Sequence, residues 1–185
     1  MPDCARHGLP PLWAREPGFA TLVHIILEQQ VSLASAKAAF DKLAAALDTI
    51  TPHKLLTLDD AQLKAIGFSR QKVVYTRHLA EAIVGRRFSP NQLTRMSDED
   101  AKAALVQLKG IGNWTADIYL LMVLRRPDVW PVGDLALQLA AQRIKQLQAR
   151  PTPLQLEALG ELWRPYRAVA ARVLWHHYLS ERAAK

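Results

Sequence analysis

Residues 108–116 read LKGIGNWTA, and residues 131–134 read PVGD. The two glycines of the first stretch predict a tight turn between two helices, since helical periodicity flanks it on both sides. A turn that leads directly into a helix presents unpaired backbone N–H groups at the positive end of the helix dipole, a favourable place for an anion. Glycine suits this turn because it tolerates a positive φ and has no side chain to keep a phosphate away. Asp134 follows Trp114 by 20 positions (134 − 114), and a phosphate-binding turn, an aromatic side chain and a carboxylate in this order indicate chemistry on DNA.

The composition is that of a basic globular protein. The chain has 185 residues, of which 50% are apolar, so it can bury a substantial core. Lys and Arg (24) outnumber Asp and Glu (17), and the formal charge of +7 favours a polyanionic partner, although solubility alone is an alternative explanation. Cys4 is the single cysteine, which excludes a disulfide within the chain and a cysteine-rich metal site.

Nearly every segment has helical periodicity and no alternating strand pattern persists, so we predict an all-α fold. The expected helices cover residues 32–47, 59–66, 69–85, 97–108, 134–145 and 165–181. Helix starts are expected at Ser32, Ser97, Asp134 and Thr152, and a helix end at Gly67.

In the last helix we expect an apolar stripe with Trp175 beside it, so that this ring needs a second surface to cover it. The expected stripe consists of Tyr166, Val169, Ala170, Val173 and Leu174.

Nothing in the sequence predicts a membrane segment. No apolar run reaches about 18 residues, and the first 13 residues lack a signal-peptide pattern. We therefore expect a cytoplasmic protein.

Three blocks of sequence together resemble the helix-hairpin-helix (HhH-GPD) DNA glycosylases, in particular the branch of the bacterial 3-methyladenine DNA glycosylase II type. They are IILEQQVS at residues 25–32, the hairpin stretch with Asp134 beyond it, and LWRPYR at residues 162–167, followed by Trp175. The resemblance runs over residues 19–178 and implies a single module, 1–185, with two helical subdomains that flank an active-site cleft. One is a six-helix unit, 19–126, that carries the hairpin 108–112; the other joins 1–18 to 127–185.

The resemblance identifies Asp134 as the catalytic carboxylate. Cleavage of an N-glycosidic bond builds positive charge on the sugar, which a carboxylate stabilises while it orients or deprotonates the attacking water. Helix N–H groups favour the ionised form of a carboxylate at such a place. Asp is also a preferred helix N-cap, so a purely structural role is the alternative, and the two roles are compatible.

The resemblance further implies a base pocket formed by Trp114, Trp175, Ile118 and Leu135, in which an extruded, positively charged purine is held by cation–π attraction. Relatives with lyase activity carry a lysine where this chain has Trp114, which implies hydrolysis by water without lyase chemistry. Ile118 and Leu135 stand where relatives have aromatic residues, so the pocket is less aromatic here. For both tryptophans, a structural role in a helix is the alternative.

DNA contacts are implied at the hairpin and at a second turn. Gln30, with Gln29 beside it, matches the residue that relatives insert into the duplex in place of the flipped base; a helix-end amide that satisfies backbone groups is the alternative. Phosphate contacts are implied for Gly110, Gly112, Thr115 and Lys72, although a solvated surface lysine is the common alternative for the last.

The resemblance implies no required cofactor. The main-chain carbonyls of Val106, Leu108 and Ile111 match those that hold a structural Na⁺ or K⁺ in relatives. An iron–sulfur cluster on four cysteines, which some relatives contain, is excluded by the single Cys4.

From these residues we predict a monomeric, monofunctional DNA N-glycosylase acting on double-stranded DNA. By base flipping and Asp-assisted hydrolysis it would excise alkylated purines such as 3-methyladenine and 7-methylguanine, the first step of base excision repair. A glycosylase for deaminated or mismatched bases and a non-catalytic helix-hairpin-helix DNA-binding module are the alternatives.

Overall fold

The computed structural model describes residues 8–183, and within them it is all-helical, with no strand. This confirms the predicted fold class. The α-helices are α1 (Phe19–Glu28), α2 (Leu33–Leu47), α3 (Pro52–Thr57), α4 (Asp60–Ile66), α5 (Arg70–Val84), α6 (Asp98–Val106), α7 (Asn113–Ile118), α8 (Leu135–Ile144), α9 (Pro153–Gly160) and α10 (Arg167–Ala183). Short 3₁₀ helices cover Pro90–Arg95 and Glu161–Trp163, and a π-helical turn covers Tyr119–Val123. No helix among the described residues is long and apolar enough to cross a membrane.

The chain divides into two compact units. One is residues 15–119, which contain α1 to α7; the other consists of residues 120–183 together with the described residues that precede Arg15. The sequence-based division, 19–126 against the two ends, therefore differs by a few residues at each boundary. At the second boundary, the unit 15–119 ends at Tyr119, which is the first residue of the π-helical turn.

Helix starts in the unit 15–119 follow the side chains that the sequence supplies. Ser32, Asp59 and Ser97 each accept a hydrogen bond from the backbone N–H three residues ahead, as N-caps do. Gly67 ends α4 with a φ of 114°, which glycine adopts without strain. Leu22, Val23, Ile25, Ile26 and Leu27 of α1 are all buried, so this helix lies in the core of its unit.

The other unit is built around α8, α9 and α10. Thr152 begins α9 with a reciprocal capping box, and the indole N–H of Trp130 donates 2.9 Å to the Leu156 carbonyl. Gly160 permits this contact, because a Cβ at that position would lie 2.5 Å from the Trp130 indole nitrogen.

The helix after the hairpin differs from the continuous α-helix that its periodicity predicts. Regular α7 ends at Ile118, and Tyr119–Val123 winds as a π-helix. All residues from 115 to 121 are buried, so burial here extends around the helix and is not confined to one stripe. A π-turn has more residues per turn than an α-helix, so it shifts the positions that face the core.

The expected apolar stripe of the last helix is confirmed at Leu174, which is buried, and wrong at its first two members. Tyr166 and Val169 are 62% and 53% exposed, while Arg167 and Arg172 are buried. Arginine is seldom buried unless its guanidinium is paired, so an apolar count assigned it to the solvent side. In α10 each buried guanidinium has hydrogen-bond partners, and the buried face is the one that carries them and Trp175.

Candidate functional site

Asp134 is a buried carboxylate at the start of α8. Its Oδ1 accepts a 2.8 Å hydrogen bond from the backbone N–H of Leu137, so it is the N-cap of this helix, and the residue is 8% exposed. The loop before it is braced as well, because the Asp134 N–H donates to the Pro131 carbonyl and the Gln138 side-chain amide donates 2.9 Å to the Val132 carbonyl. The predicted capping role is therefore confirmed, while the catalytic role stays a prediction.

Trp175 of α10 contacts the same carboxylate oxygen. Its indole N–H donates a 3.0 Å hydrogen bond to Asp134 Oδ1, and both groups are buried. Two N–H donors thus converge on one oxygen from two helices, and they fix the plane of the carboxylate. The sequence showed that Trp175 needs a covering surface, but nothing in it indicated this bond across 41 positions.

Two residues that sequence reasoning missed hold Trp175 in place. Arg172, one turn earlier on α10, donates to three backbone carbonyls: those of Leu12 (3.1 Å), Ala168 (3.2 Å) and Leu121 (2.7 Å). Burial, together with the charge of nearby Arg125, lowers the pKa of Arg172. The Trp13 ring meets the Trp175 ring edge-on, with 6.5 Å between their centroids. An arginine and a tryptophan near a chain end carry no sequence signal for such a support.

The hairpin between α6 and α7 has the tight geometry that its sequence predicts. The Ile111 N–H donates 3.0 Å to the Leu108 carbonyl, and Gly110 has a φ of 86°. A Cβ on Gly110 would lie 2.1 Å from the Tyr75 ring, so this glycine is required by the fold itself.

Gly112 differs from Gly110. It is the N-cap of α7, has a negative φ, and a Cβ there would meet nothing within 4 Å. Its lack of a side chain therefore leaves open space in front of the helix start, which is what close approach of a phosphate needs.

An ion pair joins the two hairpin helices. Lys102 Nζ of α6 lies 2.6 Å from Asp117 Oδ1 of α7, and the Asp117 side chain is buried. Breaking such a pair on one side is costly because it strands a desolvated charge. The pair therefore fixes the angle at which the hairpin presents its N–H groups.

Gln29 and Gln30 occupy the turn between α1 and α2, as expected, but they differ in their surroundings. The Gln29 amide nitrogen donates 2.9 Å to the Gly110 carbonyl and 2.9 Å to Thr115 Oγ1. Gln30 is exposed and has a φ of 58°, uncommon for a residue with a side chain. The structure thus disagrees with a wedge role for Gln29, whose amide is engaged at the hairpin, and leaves Gln30 as the wedge candidate. The Thr115 side chain is likewise buried and bonded within the protein.

Lys72 is hydrogen-bonded within the protein. Its Nζ donates 2.6 Å to the Leu27 carbonyl at the end of α1, and burial lowers the pKa of Lys72. A lysine at a helix C-terminus satisfies a carbonyl that has no partner in the helix and complements the dipole. An ammonium group has three donors, so the expected phosphate contact stays a prediction.

The other expected pocket residues have unequal exposure. Trp114 is half-buried on α7, and Ile118, one turn later, is 3% exposed. Leu135, the residue after Asp134, is 53% exposed. Of these three, Leu135 is the side chain open to a ligand, and Ile118 is a core residue in this structure.

The carbonyls of Val106, Leu108 and Ile111 are the expected ligands of a monovalent cation. The Leu108 carbonyl accepts the Ile111 N–H, and a carbonyl oxygen has a second lone pair for a cation. Carbonyl oxygens suit Na⁺ and K⁺, so the donor set fits the ion in its chemistry. Among residues 8–183 no group of three His, Cys, Asp or Glu side chains is arranged to hold a metal ion, and Cys4 lies outside the described residues.

With this geometry, the fold and the hairpin define a class of DNA repair protein. The chain belongs to the HhH-GPD superfamily of base excision DNA repair proteins, whose family model matches residues 23–165. The predicted family is therefore confirmed.

Two curated relatives and one solved structure that this chain matches are 3-methyladenine DNA glycosylases. DNA-3-methyladenine glycosylase 1 of Schizosaccharomyces pombe is 30% identical over 165 residues, which cover 87% of this chain and 72% of that protein. DNA-3-methyladenine glycosylase 2 of Escherichia coli is 29% identical over 196 residues, covering 95% of this chain and 66% of that protein. A solved structure of the S. pombe 3-methyladenine DNA glycosylase in complex with abasic DNA superimposes with a TM-score of 0.81 at 29% identity, covering 89% of this chain and 83% of that one. The chain spans about two-thirds of the length of the E. coli relative.

Proposed function

We propose that this protein is a monofunctional DNA N-glycosylase that flips alkylated purines out of double-stranded DNA and hydrolyses their N-glycosidic bond. The observation that carries the proposal is the buried Asp134 carboxylate, held by Leu137 and Trp175, in a chain of the HhH-GPD superfamily. We propose 3-methyladenine and 7-methylguanine as substrates, because the relatives named above are 3-methyladenine DNA glycosylases.

In the proposed reaction the carboxylate of Asp134 acts on the sugar. Loss of the base leaves positive charge at C1′, and a fixed negative charge beside it stabilises this charge as it develops. The same carboxylate orients or deprotonates the attacking water. Because Oδ1 accepts two hydrogen bonds from the protein, the carboxylate needs little reorganisation when the charge forms.

The leaving base is already activated when it is alkylated at a ring nitrogen, because it carries positive charge. A tryptophan ring attracts such a base by cation–π interaction, about 1–2 kcal/mol when desolvated, and Trp175, which is hydrogen-bonded to Asp134, is the tryptophan beside the carboxylate. Leu135 adds exposed apolar surface beside the carboxylate. This composition supports recognition of charged purines without strict reading of their edges.

The absence of lyase chemistry is part of the proposal. Lyase relatives use a lysine amine as the nucleophile that forms a Schiff base, and this chain has Trp114 at that position. The nearest lysine in sequence, Lys109, precedes the hairpin turn. Water is therefore the proposed nucleophile and an abasic site the product.

One observation favours a second candidate, a non-catalytic DNA-binding module. Asp134 caps α8, and this role alone accounts for a carboxylate at its position. The two candidates differ in a single measurable product, the free base.

The decisive experiment is release of bases from N-methylated duplex DNA, identified by mass spectrometry, with wild type and Asp134→Asn. The asparagine oxygen still accepts from Leu137 and Trp175, so this variant removes charge and keeps both bonds. Asp59→Asn is the matched control, since Asp59 caps α4 in the same way. We expect base release to fall about 10²–10⁴-fold in Asp134→Asn alone. Equal release by wild type and Asp134→Asn contradicts the catalytic assignment, and no release by wild type supports the binding module.

A further inference from the structure

Three successive residues at the end of α1 are each fastened to a different part of the unit 15–119. The Leu27 carbonyl accepts the Lys72 ammonium group at 2.6 Å. Glu28 receives a bidentate pair from Arg15, at 3.0 and 2.7 Å, and its side chain is buried. Gln29 donates to the hairpin through both protons of one amide nitrogen.

The next residue is the exposed Gln30, whose backbone lies in the left-handed region. A left-handed residue after a helix is not particular to this turn, since Asp48, Arg86 and Gln146 also have a positive φ. What distinguishes this turn is the three attachments directly before it. The attachments therefore hold the tip of this turn in a set position.

The two hydrogen-bond partners of Gln29 lie in the hairpin and in the helix that follows it. Gly110 lies in the hairpin turn, and Thr115 lies in the first turn of α7, the helix that the hairpin leads into. Sequence separations of 81 and 86 residues exclude a local capping bond. The amide of Gln29 thus ties the Gln30 turn directly to the element expected to grip the DNA backbone.

We propose that Gln29 is a positioning residue that locks the Gln30 turn to the hairpin, so that the phosphate grip and the inserted side chain stay in register on the DNA. This inference rests on the proposed function, in which Gln30 fills the space left by a flipped base. Insertion into stacked bases meets resistance, since unstacking costs free energy. If the turn moves when Gln30 is inserted, the insertion is weakened, whereas the phosphate contacts of the hairpin remain.

The test compares binding of a duplex that contains a tetrahydrofuran abasic-site analogue with binding of the undamaged duplex. Gln29→Met keeps the size of the side chain and removes its donors. We expect Gln29→Met and Gln30→Ala each to lower affinity for the abasic duplex about tenfold more than affinity for the undamaged duplex. The double variant is expected to equal Gln30→Ala, because Gln29 acts through Gln30. Gln155→Met is the control, since it removes an amide from the capping box of α9; it should leave the preference unchanged.

Four results overturn the inference. One is an unchanged preference in Gln29→Met. Another is an equal loss of affinity for both duplexes in this variant. A third is a loss in the double variant that equals the product of the two single losses. A wild-type protein without any preference for abasic DNA also overturns it. A protein that shows the preference but releases no base contradicts the proposed function alone, so the two failures are distinguishable.

Discussion

The indole N–H of Trp175 and Oδ1 of Asp134 are joined by a 3.0 Å hydrogen bond between the last helix and the start of α8. The same oxygen accepts the Leu137 N–H at 2.8 Å. One of these bonds is a local helix cap and the other is a tertiary contact. Together they turn an ordinary N-cap into a carboxylate whose orientation depends on the packing of α10.

Replacing Trp175 by Phe should separate the hydrogen bond from the ring. A smaller aromatic ring stays in place of the indole, and Asp134 loses a donor to its carboxylate. Because hydrogen bonds to charged groups contribute about 1.5–3 kcal/mol, we expect the free energy of unfolding to fall by this order. Base release under single-turnover conditions should fall at least about tenfold, since misplaced catalytic groups lose rate steeply.

Trp130→Phe is the matched control for this change. Trp130 is also buried in the unit containing α8 to α10, and its N–H donates 2.9 Å to the Leu156 carbonyl. We expect about 1 kcal/mol of lost stability and unchanged base release. Equal effects of both variants on base release would show that the Trp175 bond serves only the fold.

The two hairpin glycines should respond differently to substitution. Gly110→Ala forces a left-handed backbone that costs about 1–2 kcal/mol and places a Cβ against Tyr75, so we expect a lower melting temperature. A Cβ at Gly112 meets nothing within 4 Å, so we expect Gly112→Val to melt like wild type. It should bind all DNA sequences about tenfold more weakly, equal to about 1.4 kcal/mol, with a shallower salt dependence because a phosphate contact is lost. Titrations by fluorescence anisotropy at several salt concentrations measure both the affinity and its salt dependence. Wild-type affinity and salt slope in Gly112→Val would refute the phosphate contact.

The Asp128–Arg167 pair should make stability depend on pH in acid. Burial by itself raises the pKa of Asp128, but hydrogen bonds from Arg167 and the charges of Arg167 and Arg164 outweigh it and hold the pKa below 3.8. A lowered pKa in the folded state gives stability that is complete above the unfolded value, about 3.9, and is lost as the pH falls through the lowered one. Asp128→Asn should therefore unfold more easily at pH 7, by less than the roughly 3–5 kcal/mol of a fully buried pair.

Urea unfolding at pH 7 and at decreasing pH below 4 checks this prediction. The difference between wild type and Asp128→Asn should shrink as the pH falls. Lys37→Ala, which removes an exposed pair with Asp41 on α2, should differ little from wild type at any pH. A difference for Asp128→Asn that is constant with pH would mean that the charge of Asp128 does not stabilise the fold.

The product strand should stay intact until alkali or heat cleaves it, because Trp114 stands where lyase relatives have a lysine. Borohydride present during the reaction should trap no covalent complex with DNA, as seen by denaturing electrophoresis. An alkali-treated portion of the same reaction is the control, because cleavage there shows that abasic sites were formed. Efficient trapping would contradict the monofunctional assignment.

Much of the fold could be predicted because its signals are local. Ser32, Ser97 and Asp134 are N-caps as expected, and each acts on a backbone N–H three residues ahead. Gly67 ends α4 where a left-handed residue is needed. The hairpin stretch at residues 108–116 forms the expected turn, because its glycines determine which backbone angles are accessible.

The surroundings of the candidate site could not be predicted in the same way. Lys72 pairs with the Leu27 carbonyl, and Gln29 with Thr115, across 45 and 86 positions. A long side chain reaches many acceptors, and its sequence position does not say which of them lies nearest. The burial of Arg172 could not be predicted either, because it depends on the carbonyls of Leu12 and Leu121 from two other segments as well as on that of Ala168 in its own helix.

The sequence by itself determined the helices, their caps, the hairpin and the family, since each depends on residue types at short spacing or in a fixed order. The tertiary structure decided which face of α10 is buried, what Gln29 and Lys72 bind, and that Trp175 shares an oxygen of Asp134 with the helix cap. The physical reason is range: backbone angles and caps are set within a few residues. A hydrogen bond between distant side chains exists only once packing has brought donor and acceptor to within about 3 Å.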